Sequence, residues 1–202
     1  MTVKLVGSTS GSVSLQAPAS TSGGAHRVLT LPDINSTVDT TGRAGNILQV
    51  QQFVKTDAVS ASVSQDTNWT GHGVAVNITP SSASNKIIVS GYITVSADRN
   101  DGIFGILYKN GSAVTSAIGD QGVSSGSRAT VGVEIDYNFV TTPVPVHFMD
   151  TAGSTSQQTY TVALNITTNA TPTVYVNRPQ NTGDYAWNAT TISVLTAMEV
   201  AA

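Results

Sequence analysis

The chain has 202 residues, a formal net charge of −3 and no cysteine. That leaves room for one large β domain plus a further segment, and excludes disulfides, thiolate catalysis and Cys-ligated zinc. Charged residues are only 10% of the chain, against roughly 25% in an ordinary soluble domain, so hydroxyls and amides must keep the surface wet. That composition suits a β-rich extracellular protein better than a cytoplasmic enzyme. The acidic balance offers no footprint for phosphate, so nucleic acid is not an expected partner.

Residues 1–44 read differently from the remainder. Apolar pulses at Val3/Leu5, Val13/Leu15 and Val28/Leu29/Leu31 are separated by Gly- and Ser-rich spacers. Two are imperfect copies: Val13-Ser14-Leu15 followed by Pro18, and Val28-Leu29-Thr30-Leu31 followed by Pro32. Each is too short to bury a face by itself, so such strands need another chain or another protein to pack against. Two readings stand, a disordered tail and an intertwined or docked β-arm. The arm is preferred, with Leu5, Val13, Leu15, Leu29 and Leu31 as its attachment residues. The first seven residues carry one positive charge and no long apolar run, so no signal peptide is expected. No stretch approaches the ~20 apolar residues of a membrane span, so no membrane insertion is expected.

Strand signals fill the chain from Gly45 onward. Val74, Val76 and Ile78 alternate with other residues, and Ile87, Val89, Ile93 and Val95 share one face of the next segment. Residues 130–140 are the clearest case: Val131, Val133, Ile135, Tyr137 and Phe139 alternate with Thr130, Gly132, Glu134, Asp136 and Asn138. A period of two puts one row inward and one toward water. Tyr160, Val162, Leu164 and Ile166 repeat it, and the last strand, residues 191–200, puts Ile192, Val194, Met198 and Val200 on one face. Lys109-Asn110-Gly111-Ser112 is a two-residue hairpin signal, because Asn-Gly tolerates positive φ. Asn100-Asp101-Gly102 and Thr182-Gly183-Asp184 mark further reversals. Pro80, Pro143, Pro145, Pro172 and Pro179 are expected between strands. The reading is all-β: a jelly-roll-like two-sheet β-sandwich over residues 45–202, preceded by an extended arm over residues 1–44.

Some strands are apolar on both faces. Ile103, Phe104, Ile106, Leu107 and Tyr108 are the main example, and Tyr175 and Leu195 add second-face groups. A lone sandwich keeps its outer face polar, so such strands lie under a loop or against a neighbouring subunit. The subunit is preferred, which makes Ile103, Leu107, Tyr175 and Leu195 interface residues of a closed homo-oligomer.

The chemistry-bearing motifs are weak. Gly122-Val123-Ser124-Ser125-Gly126 fits G-x-S-x-G, but a nucleophile elbow needs a helix after the Ser, and here a strand follows. His26, His72 and His147 have no ligand spacing, although one of them repeated about a threefold axis would suffice for a metal; exposed or hydrogen-bonded roles are the default. Glu134 and Asp136 project from one strand face roughly 7 Å apart, a spacing usable in glycoside hydrolysis but more often a solvated row. Asp98-Arg99-Asn100-Asp101-Gly102 resembles part of a calcium loop, yet the twelfth position is Lys109, not the Glu of an EF-hand. Trp69, Asp184, Tyr185 and Trp187 lie in polar, loop-like contexts that suit a sugar-stacking platform, or else they plug the sandwich ends. No catalytic residue, cofactor or metal is expected.

The run Gly7-Ser8-Thr9-Ser10-Gly11-Ser12-Val13-Ser14-Leu15-Gln16-Ala17-Pro18-Ala19, followed by Leu29-Thr30-Leu31-Pro32, resembles the N-terminal arm of phage tail-fibre and appendage proteins. Gly45-Asn46-Ile47-Leu48-Gln49-Val50 resembles the start of their C-terminal β-domain, and residues 78–87 and 192–200 are further echoes. The chain is thus similar to structural proteins of marine cyanobacterial and other environmental tailed phages. Its C-terminal part looks like the trimeric jelly-roll heads of the complement and tumour-necrosis-factor superfamily. The resemblance implies a virion protein assembled in the host cytoplasm, a homotrimer that docks on other virion proteins by its arm and touches host polysaccharide with its tip. A capsid decoration or tail adaptor without receptor binding is the alternative, and a polysaccharide depolymerase the remote one.

Overall fold

The computed structural model describes residues 2–6, 12–16, 43–65, 67–119, 128–135, 140–183 and 188–202. In chain order the strands are β1 (Thr2–Val6), β2 (Ser12–Gln16), β3 (Ile47–Lys55), β4 (Val59–Ser62), β5 (Ala75–Ile78), β6 (Lys86–Ala97) and β7 (Asp101–Lys109). They continue with β8 (Ser112–Ala113), β9 (Val131–Ile135), β10 (Thr142–Thr151), β11 (Gln158–Ile166), β12 (Thr173–Val176) and β13 (Ser193–Val200). One 3-10 turn at Thr115–Ala117 is the only helical element among the described residues. Two compact units separate, Met1–Asp39 and Thr40–Ala202.

In the first unit β1 and β2 form an antiparallel hairpin, with Val3 opposite Leu15 and Leu5 opposite Val13. The two apolar pulses, expected to need another chain, therefore find their first partner in each other. Leu29 and Leu31 lie outside the described residues.

The second unit is a β-sandwich of two antiparallel sheets. In the front sheet β3, β13, β6 and β10 lie side by side, and the β12–β4 pair continues along β6 beyond the end of β13. The back sheet runs β5-β11-β7, with β8 and β9 also on β7. One apolar core fills the space between them. Val76, Ile78, Val162 and Leu164 from the back sheet meet Ile87, Val89, Ile93, Val95, Val144 and Val146 from the front. Each fully buried Ile, Leu or Val contributes about 1.5–3 kcal/mol from leaving water. The expected alternations of β5, β6 and β11 all fall inward, as do Val131, Val133 and Ile135 of β9. Tyr137 and Phe139 lie outside the described residues.

Two backbone positions fix this geometry. The β7–β8 hairpin closes through Asn110 (φ 50°) and Gly111 (φ 81°), the left-handed pair of a type I′ turn. Gly91, in the middle of β6, has φ 145° and lies opposite Leu195. A Cβ there would overlap the Val194 carbonyl oxygen and stand 2.9 Å from its carbon, so only glycine lets β13 approach.

Three expectations are corrected. Ile103, Leu107 and Leu195 are fully buried in the intrachain core, so they present nothing to another subunit. β13 is turned accordingly: Ser193, Leu195, Ala197 and Glu199 point inward, and the more apolar row of Val194, Met198 and Val200 points out. The sequence pattern is misleading here because a buried Ser and Glu look like an outer row. Pro143 and Pro145 lie inside β10, opposite Thr94 and Tyr92, and not between strands. Among the described residues β10 pairs with β6 alone, an outer position where a missing N–H is tolerated.

Candidate functional site

The outward side of the front sheet is the most unusual surface of the domain. The register of its four long strands stacks apolar residues into two rows across the sheet. Val50 of β3, Met198 of β13, Ile88 of β6 and Met149 of β10 form one row. Val54, Val194, Tyr92 and Pro145 form the second. Between them runs a neutral polar row, Gln52, Thr196, Ser90 and His147. Val50 and Met149 are each 54% exposed and Val54 is 44% exposed, and Ile47 and Ile192 extend the same side. Four strands at about 4.8 Å and nine residues at about 3.3 Å give a face of about 19 by 30 Å. That is about 570 Å² in projection, about 70% of one partner's share of a standard protein interface, about 800 Å² of accessible surface.

Cross-strand apolar rows of this kind still leave methyl groups in water, so covering them lowers the free energy further. The face is nearly uncharged. Lys86 stands at one corner, its Nζ donating to Thr151 Oγ1 at 2.8 Å, and the polar row carries hydroxyls, an amide and an imidazole.

The back of this face is held by a buried carboxylate. Glu199, fully buried at the end of β13, accepts hydrogen bonds from Gln49 Nε2 (2.6 Å), Asn85 Nδ2 (2.7 Å), and the Ser81 N–H (2.7 Å) and Oγ (2.8 Å). Burial alone would raise its carboxyl, but the donors from Gln49, Asn85 and Ser81 outweigh it and hold the group at about 2. The carboxylate thereby ties β3, the 79–85 turn and β13 together. At the far edge Lys109 Nζ meets Asp150 at 2.9 Å, and Tyr160 donates its hydroxyl to the same carboxylate, also at 2.9 Å. This joins the two sheets, and burial pushes the Tyr160 hydroxyl well above its ordinary range.

The outward face of the back sheet has a different solution. Asn68 donates to the Tyr108 hydroxyl at 2.8 Å and accepts from Asn165 Nδ2 at 3.0 Å, so its loop crosses over β11 to β7. The outward Ile106 and Ala163 are buried within the single chain.

Trp69 is part of the same loop and does not stand free as a platform. Its N–H and C=O bridge Leu164, its ring packs on the core, and it meets the His72 ring edge-on at 5.4 Å between centroids. His72 is buried: its Nδ1 accepts from the Val74 N–H (3.1 Å), so Nε2 carries the proton and donates to the Val162 carbonyl (2.9 Å). Burial lowers its pKa to about 4. Tyr175 points outward from β12 and stacks under Arg178 at 4.3 Å. Asp184, Tyr185 and Trp187 lie outside the described residues, as do His26, Asp136 and the 122–126 string. Glu134 is exposed on β9, and Asp101 is paired with Arg99 at 2.7 Å, so the loop at residues 98–102 is an ion-paired turn. Among the described residues no group of three His, Asp or Glu side chains is placed to hold a metal.

The outward rows were missed in the sequence because no single strand carries them. They exist only once the register of four strands is known. Neither a family model nor a curated protein sequence matches the chain.

Proposed function

We propose that the chain is a non-enzymatic structural protein of a tailed-phage particle, a trimeric appendage. Its N-terminal arm, residues 1–44, docks on other virion proteins, and its β-domain contacts the host surface. The observation that supports this reading is the nearly uncharged outward face of β3-β13-β6-β10, with its two apolar rows. A face of that size and neutrality is what repeated copies of one chain bury against each other.

Two further points support it. The β-sandwich order β3-β13-β6-β10 facing β5-β11-β7-β9 supports a jelly-roll reading, the head architecture which the C-terminal sequence resembles. The arm phrases resemble those of phage appendages, and the Val13/Leu15 pulse of the first pairs with Val3/Leu5 in the β1–β2 hairpin of a compact unit. Light scattering of the purified chain at two concentrations tests the reading. A stable species near three times the 20.8 kDa chain mass is expected. A clean monomer at both concentrations overturns the trimer.

A further inference from the structure

The polar row that divides the front face ends in an imidazole. Gln52, Thr196, Ser90 and His147 stand side by side from β3 to β10, and Gln52 Nε2 donates to Thr196 Oγ1 at 3.1 Å. Along β10 the period of two puts Pro145 and Met149 on the same side as His147, and Ser90 lies opposite it on β6. The ring is exposed in the single chain. His72, by contrast, is buried in the core with both ring nitrogens engaged. We infer that His147 is an acid-sensitive latch: copies of the chain join on this face while its ring is neutral, and separate when the ring takes up a proton. This rests on the copy contact proposed above and adds its regulation.

The surroundings of the ring decide which charge state tolerates cover. One apolar row lies on each side of it, so a surface that buries those rows takes the imidazole out of water with them. A neutral ring can still donate and accept there, one nitrogen for each task. A charged ring loses its hydration and needs a counter-charge to offset the loss. Among the described residues the face supplies none. β3 and β13 place no ionisable side chain on its rows, and Glu199 is turned inward. From β6 come only the Tyr92 phenol and Lys86, itself a cation, at the corner. The acid of β10, Asp150, is on the inward side, bonded to Lys109 of β7 and Tyr160 of β11. Asp101 of β7 is paired with Arg99, and Glu134 of β9 is exposed on the other sheet.

Histidine is the side chain that changes charge between about pH 5 and 8. In the folded chain His72 is held at about 4 and Glu199 at about 2, so neither changes its charge in the upper part of that range. A covered ring stays neutral and a freed one becomes charged, so each departing copy takes up one proton. Association is therefore strongest at the alkaline end and is lost as pH falls. Each pH unit over which the freed ring is charged weakens the contact by up to about tenfold per copy.

Light scattering of the full-length chain at about pH 7.5 and about pH 5.5 reads this directly. The concentration is set just above that at which copies separate at the higher pH, and circular dichroism is recorded alongside. Wild type is expected to fall reversibly toward the 20.8 kDa mass of one chain at the lower pH, with an unchanged spectrum. His147→Gln or His147→Phe, neutral throughout, should hold the associated mass at both. His147→Lys should be a single chain already at the higher pH. An associated wild type whose mass ignores pH overturns the latch and leaves the copy contact standing. Acid separation that both neutral variants share overturns it too, as does association of His147→Lys or a mass change that comes with a lost β spectrum. A single chain at the higher pH at every concentration overturns the copy contact, and the latch with it.

Discussion

Protonating Glu199 should remove one of the main ties in the front sheet. Its carboxyl is held at about 2, against an ordinary 4.5. A depressed carboxylate stabilises the fold fully above its unfolded pKa, and that contribution disappears as pH falls from about 4.5 through about 2. At about 1.4 kcal/mol per pH unit the gap amounts to about 3 kcal/mol, an upper figure because solvent near the strand end screens part of it. With a urea slope of about 2 kcal/mol per M, the midpoint should fall by about 1–1.5 M over that window. Glu199→Gln is the informative variant. Its amide can accept at one oxygen only, so some of the donors from Gln49, Asn85 and Ser81 must face an NH₂ group. It should lose about 2–3 kcal/mol at neutral pH and show a flatter acid limb. The assay is urea denaturation followed by circular dichroism at fixed chain concentration, since association itself adds stability. If wild type and Glu199→Gln lose stability in parallel between pH 4.5 and 2, the carboxylate is not the tie described.

His72 acts in the adjacent window: its pKa, lowered by burial to about 4, makes the neutral ring a stabilising group above about 6.5 whose contribution is lost as pH falls toward 4. His72→Phe should flatten the urea midpoint over that range, while costing about 1–3 kcal/mol at neutral pH for the orphaned Val74 N–H. Gly91→Ala should prevent folding or lower the melting temperature far more than Gly111→Ala, whose Cβ meets nothing within 4 Å; similar losses in calorimetry would refute the close β6–β13 approach. Val50→Lys combined with Met149→Lys places charge in one apolar row and should shift the solution mass to a monomer with an unchanged circular dichroism spectrum. An unchanged mass would place the copy contact elsewhere.

Period-two patterning carried most of the sandwich. β5, β6, β9 and β11 were legible because their inward rows are Val, Ile, Leu and Tyr, and the Asn110-Gly111 hairpin because only left-handed residues fit its turn. β13 failed for a physical reason. Its inward row includes Ser193 and Glu199, whose polarity is answered by Asn177, Gln49, Ser81 and Asn85 from far along the chain, and no local window contains those partners. Trp69 failed likewise: an indole in a polar string looks exposed until the fold brings Leu164 and His72 under it. The candidate interaction face depends on inter-strand register, which a sequence of marginal turns does not specify.

The prolines of β10 set a limit on how far pairing can spread. Pro143 and Pro145 have no N–H to offer an incoming strand, so a hydrogen-bonded ladder cannot readily propagate past that border of the front sheet. At the opposite border β3 has, among the described residues, a single neighbour, β13, and a bulge near its beginning. Whatever strand adds at β3 brings to the outside a border of its own, and when that strand belongs to an identical copy the new border is the proline-blocked one. Fibrillar growth by endless extension at that border is therefore arrested after a single addition.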